Sequence, residues 1–122
     1  MIKKKFKIPL YFHNLIVIQT DDFQAIEKEY GLRGGSPDYA AITFETDDAI
    51  AVCFNSKVDY SIIAHESVHV CSYVFLGIGA KLELNNDETF AYLMGWVVEQ
   101  IHSVVKIAEK DKKQKEKLAQ VK

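Results

Sequence analysis

The stretch Ile62-Ile63-Ala64-His65-Glu66-Ser67-Val68-His69-Val70-Cys71 decides how this chain reads, because it sets two imidazoles and a carboxylate at helical spacing inside an apolar run. Residues four apart leave the same face of a helix, so His65 and His69 can bind one metal ion. Glu66 lies beside that face, where a carboxylate can take a proton from water that the metal activates. The pattern predicts a zinc-dependent hydrolase, with one Zn2+ ion held by His65 and His69 and Glu66 as general base.

The flanking sequence predicts the helix itself. Asp59 or Ser61 can cap it, it reaches to about Leu76, and Gly77 and Gly79 close it. Ile62, Ile63, Val68, Val70, Val74 and Phe75 fall on nearly every side, which predicts a helix buried in the middle of the fold. Two histidines and a glutamate in such a helix call for a compensating partner, and a cation supplies one.

Upstream, Leu10 to Thr20 reads as a strand, with Lys3-Lys4-Lys5-Phe6-Lys7 as a basic tip leading into it and His13 as a strand histidine without an assigned role. Asp21-Asp22 suggests a helix N-cap, Phe23, Ile26 and Tyr30 recur at helical spacing, and Gly31 is placed to stop the helix. Gly34 to Asp38 is turn-rich. Tyr39 to Thr46 and Ala49 to Asn55 alternate as strands around an Asp47-Asp48 hairpin turn. A last helix starts near Asn86 or Asp87, and its apolar positions Phe90, Leu93, Met94, Val97, Val98, Ile101, Val104 and Val105 are the strongest periodicity in the chain. The fold class expected is α+β, with a small, mostly antiparallel sheet packed on a central helix carrying the HExxH motif, followed by a long C-terminal helix.

At 122 residues, 48% of them apolar, the chain has room for one hydrophobic core. A single domain over 1–109 and a Lys-rich, frayed tail over 110–122 are expected. No apolar run is expected to span a membrane: Pro9, His13 and Asn14 interrupt the N-terminal one, and no cleavage site follows it. A cytoplasmic protein is the expectation. The net charge of −2 separates into +4 over residues 1–7, −10 over 8–105 and +4 over 106–122. Without an accompanying aromatic or Arg pattern, the basic ends read as solubilising rather than as a nucleic-acid surface. Cys53 and Cys71 have neither disulfide nor CxxC spacing and read as buried free thiols. Cys71 is about 200° around the helix from His69 and so points away from the histidines.

Catalytic zinc takes three protein ligands and a water. A further histidine is excluded, since Tyr73-Val74-Phe75 follows His69 and none appears before His102. Asn86-Asp87-Glu88 opens the next helix, and Glu88, separated from His69 by 18 residues, is the expected third ligand with Asp87 in reserve. Glu99 and His102 lie roughly 16 and 21 Å further along that helix. Ala91 and Gly95, on the face of Glu88, are small enough to let the two helices approach closely. Tyr92 is a candidate for oxyanion stabilisation or for a hydrogen bond to a ligand histidine.

His65-Glu66-x-x-His69, then 18 residues, then Glu88 followed by Ala91-Tyr92-Leu93, resembles the gluzincin clan of zinc metallopeptidases in a very short form. It looks most like the small zinc peptidases attributed to bacteriophages and prophages, over about residues 40–105. The resemblance implies a zincin-like fold whose edge strand aligns an extended peptide or protein substrate, with His65, His69 and Glu88 as ligands and Glu66 as base. For a phage product it implies the host cytoplasm. Where many gluzincins have an acid four residues after the glutamate ligand, this chain has Tyr92. The competing expectation is a non-catalytic zinc-containing binding or inhibitor protein of phage origin.

Overall fold

A computed structural model describes residues 1–11, 13–33 and 40–108. Four strands and three helices follow in the order β1 (Ile2–Ile8), β2 (His13–Gln19), α1 (Phe23–Tyr30), β3 (Ala41–Glu45), β4 (Ala49–Phe54), α2 (Tyr60–Ile78) and α3 (Glu88–Val104). The architecture is α+β, and the strands form one sheet in the order β1-β2-β4-β3.

The sheet is mixed, with two of its three strand pairings antiparallel as expected and the third parallel. β1 pairs antiparallel with β2 and β3 antiparallel with β4, while the central pair, β2 and β4, runs parallel. A parallel pair needs a crossover, and α1 with β3 provides it. Alternation then sorts the side chains between two faces. Leu15, Val17, Ile50, Val52 and Phe54 point to one face, where they form a core with α2 and α3. Ile16, Ile18, Ala49, Ala51 and Cys53 point to the other, against Ile26 of α1. Strands covered on both faces lose their polar positions, which is why all six residues of β4 are buried.

The N-terminus differs from the reading as a basic tip. Residues 2–8 are themselves a strand, paired from Ile2 opposite Gln19 to Ile8 opposite His13, and the expected strand over 10–20 begins only at His13. Lys3, Lys4, Lys5 and Lys7 disguise the alternation by which Phe6 and Ile8 turn inward, and lysines on an edge strand discourage pairing with another chain. Lys3 and Lys5 reach Glu29 and Asp48 at 3.1 and 2.9 Å.

Local capping chemistry sets the helices. Asp22 accepts a hydrogen bond from the Ala25 amide and starts α1, and Asp59 accepts one from the Ile62 amide and starts α2. Gly31 and Gly79 end them at φ of 66° and 73°, left-handed values that cost a glycine little. Gly77 stays within α2. Beyond α3, Gln19 exchanges two hydrogen bonds of 2.9 Å with the Lys106 backbone, and the Ala108 amide donates to Val58. The tail over 110–122, the turn-rich segment over 34–38 and Tyr39 lie outside the described residues.

α2 is not buried on all sides. Ile63, Glu66, Ser67, Val70, Cys71, Val74 and Phe75 face inward, whereas His65, Val68, His69 and Leu76 are exposed. Contrary to the sequence reading, its 19 residues are by length and composition long and apolar enough to cross a membrane. Its inward face nevertheless packs on β3, β4 and α3, as the core helix of a folded domain does.

Both cysteines are free and buried, and desolvation pushes each thiol up to about 12. Ellman's reagent is therefore expected to leave both unlabelled in the native protein, with no rise in rate between about pH 7 and 9, and to label both on unfolding. Labelling of one thiol under native conditions would show that the sheet or α2 opens locally.

Candidate metal centre

His65, Glu66 and His69 lie within five consecutive residues of α2, and their ligand atoms all lie within 4.8 Å of one another. The two imidazoles meet edge to face, with Nε2 of His69 at 3.2 Å from Nε2 of His65. A tetrahedral zinc with Zn–N bonds of 2.0–2.1 Å holds two ligand nitrogens about 3.3–3.4 Å apart. The separation seen here is close to that spacing, so the two nitrogens stand near enough to share one cation. The His65 side chain is 69% exposed, which leaves the outer side of the pair open to solvent.

Glu66 is placed differently. Its carboxylate is buried where α2 crosses the edge strand β3, and Oε1 accepts a hydrogen bond of 2.8 Å from the Thr43 hydroxyl. The other oxygen, Oε2, is 3.7 Å from Nε2 of His65. Thr43 thus occupies one oxygen and leaves the second facing the imidazoles, the disposition a general base beside a metal needs. Ser67, next along the buried face, returns its hydroxyl to the Ile63 carbonyl at 2.7 Å and brings no polar group to the site.

Thr43 is the residue in contact with this cluster that the sequence reading passed over. The signal was available: Thr43 alternates with Ile42 and Phe44, which face α1, so it had to face α2.

Glu88 and Asp87 are not part of this cluster. α2 continues from His69 to Ile78 before the chain turns back, and the Phe75 and Phe90 rings meet edge to face at 5.1 Å. That contact sets the start of α3 level with a part of α2 about 9 Å beyond His69. Glu88, Ala91, Tyr92, Gly95 and Glu99 are all exposed, so the face they share looks to solvent. A Cβ on Gly95 would meet nothing within 4 Å, so the expectation that small residues there allow close helix packing is not met. Tyr92, 77% exposed, lines a cleft with Pro9, Leu10, Tyr11, Thr89, Leu93 and Trp96 that includes none of the three clustered residues. Tyr73 packs at the edge of the α2–α3 core, His13 opens β2, and His102 stacks on Tyr60.

Compared with known protein families, with curated proteins and with solved structures, the chain finds no match in any of the three.

Thr43→Val is isosteric and removes only the donor, which leaves a buried carboxylate oxygen short of a partner. A loss of about 1–3 kcal/mol at neutral pH is expected in denaturant titration, with Thr43→Ser recovering most of it. Equal stability of Thr43→Val and wild type would show that the hydroxyl does not hold Glu66.

Proposed function

We propose that the chain is a zinc-dependent metallopeptidase of gluzincin-like, zincin-like type, soluble and cytoplasmic, with a narrow protein target. The observation that carries the reading is the pairing of two exposed imidazoles at ligand spacing with a buried carboxylate anchored from the edge strand by Thr43. His65 and His69 would hold the zinc, and Glu88, proposed as the carboxylate that completes the set, would have to be recruited at the expense of the Phe75–Phe90 contact that now holds the start of α3 away from them. Zinc in such a site lowers the pKa of water to about 7 and polarises a carbonyl.

The chain's own groups would then act as follows. Oε2 of Glu66 accepts the proton of the attacking water and passes it to the leaving amine, while Thr43 keeps Oε1 engaged and fixes the plane of the carboxylate. Among the described residues β3 pairs with β4 alone, and its other edge would receive an extended peptide by strand addition beside α2.

A second reading is favoured by one observation, the place of Glu88 outside the cluster. A two-histidine site with an anchored glutamate suits a zinc-containing binding or inhibitor protein that performs no hydrolysis. Glu66→Gln separates the two. As a peptidase the variant keeps its zinc and loses about 10²–10⁴-fold in turnover on a fluorogenic peptide library. Wild-type biological activity in Glu66→Gln would reject the enzyme.

The metal itself is checked by elemental analysis of the purified protein. About one zinc per chain is expected, abolished in His65→Ala and His69→Ala, with affinity reduced by at least about tenfold in Glu88→Ala. Equal zinc in wild type and Glu88→Ala would remove Glu88 and leave the histidines as the binding pair.

A further inference from the structure

The two edges of the sheet are built differently. β1 carries Lys3, Lys4, Lys5 and Lys7, the charge pattern that keeps an edge strand from pairing with another chain. β3, at the opposite edge, reads Ala41-Ile42-Thr43-Phe44-Glu45 and holds neither lysine nor proline. Its one charge is Glu45, and at about 4.8 Å per strand the β1 lysines are on backbone about 14 Å away across the sheet.

The hydrogen bonds to β4 fix which backbone groups β3 leaves open. The Asn55 amide donates to the Ala40 carbonyl at 3.0 Å, and the Thr46 amide donates to the Ala49 carbonyl at 2.8 Å. In an antiparallel pair, residues that bond to the partner alternate with residues that do not, so the even-numbered positions turn their N–H and C=O groups to β4. Ala41, Thr43 and Glu45 turn theirs to the outer edge, where β3 has no strand partner among the described residues.

Side chains alternate with the same period. Ile42 and Phe44 lie on the α1 face, where the Tyr30 ring meets that of Phe44 at 5.1 Å. Thr43 lies on the α2 face and bonds Glu66. Glu45 is the next residue on that face, about 6.7 Å further along the strand. It is exposed, and among the described residues no ion pair engages it.

An extended peptide paired to this edge is therefore read on both faces. Its residue opposite Thr43 stands level with Glu66, which puts the bond to be cut beside that residue. Two positions away, a peptide side chain stands directly opposite Glu45, where an opposite charge stabilises the pairing and a like charge opposes it. The residue between the two lies opposite Phe44, beside apolar surface.

We propose that Glu45 sets the specificity of this edge. The peptide it selects carries lysine or arginine two residues from the residue at the cleaved bond, with an apolar residue between them. The proposal rests on the peptidase reading for the cleavage, and on the register of β3 for the selection.

The test uses quenched fluorescent decapeptides of alternating valine and serine, in which one serine is replaced by lysine, glutamine or glutamate. On the full-length, zinc-loaded protein, kcat/KM is expected to be about 5–10-fold higher for lysine than for glutamate, with glutamine between. Moving the lysine by two residues should move the cut, read by mass spectrometry, by two. Glu45→Gln should bring the three peptides to within about twofold of one another, and Glu45→Lys should reverse their order, both with wild-type zinc content. Glu99→Lys makes the same change of net charge as Glu45→Lys, on the exposed face of α3, and should leave the preference as it is.

Binding of the same sequences to Glu66→Gln, read by fluorescence anisotropy, separates this inference from the reading it rests on. If wild type cuts none of them while Glu66→Gln binds lysine over glutamate, and adding Glu45→Lys inverts that order, the peptidase reading fails and the role of Glu45 stands. The inference is overturned by equal use of the three peptides, by a preference that survives Glu45→Gln or is lost in Glu99→Lys, or by neither cutting nor binding at millimolar peptide. Loss of zinc in Glu45→Gln would make Glu45 a ligand, and dimerisation through β3 with rising protein concentration would fill the edge with a second copy. Either result also overturns it.

Discussion

A carboxylate buried between a helix and a strand must be satisfied where it lies, and the hydrogen bond from Thr43 to Glu66 does this at the point where α2 crosses β3. Leaving such a group unpartnered is among the more costly errors in a fold. The bond therefore fixes the rotation of α2 about its own axis as well as the carboxylate. With Glu66 turned toward β3, Ile63, Val70, Cys71 and Val74 fall onto the sheet, while His65 and His69 emerge on the outer face. The exposure of the imidazoles and the burial of the base are two results of one rotation.

The same rotation accounts for the expectation that failed. The apolar content of α2 suggests a helix enclosed on all sides, yet Val68, Leu76 and Ile78 are exposed together with the histidines. Composition counts hydrophobic residues without knowing how many sides have a partner. Val68, between the two histidines on that open face, offers apolar surface beside them.

How much was legible follows the range of the interactions. α1, α2 and the β3–β4 pair were readable because caps, stop glycines and alternation act within a few residues: Asp22 and Gly31, Asp59 and Gly79, Ile50 and Val52. The HExxH cluster was legible for the same reason, as i and i+4 on one helix. β1 was obscured because an edge strand may carry lysine on nearly every position and still pair through its backbone. The parallel pairing of β2 with β4 joins residues 35 positions apart, Leu15 opposite Ile50, and no local pattern encodes it.

Glu88 shows where sequence spacing stops being geometry. Eighteen residues separate it from His69, but their effect depends on how many continue α2 and how many form the connection. Nine continue the helix here, 70 to 78, and each carries the chain about 1.5 Å further from the histidines before it turns. The Phe75–Phe90 contact then locks that offset into the core, since sliding α3 by a turn would part the two rings and move Leu93, Val97 and Ile101 out of register with the sheet. Recruiting Glu88 to the metal therefore works against aromatic packing, and the two histidines with Glu66 do not. The cluster that forms without displacing any core contact is that of His65, Glu66 and His69, anchored by the Thr43 hydroxyl of β3.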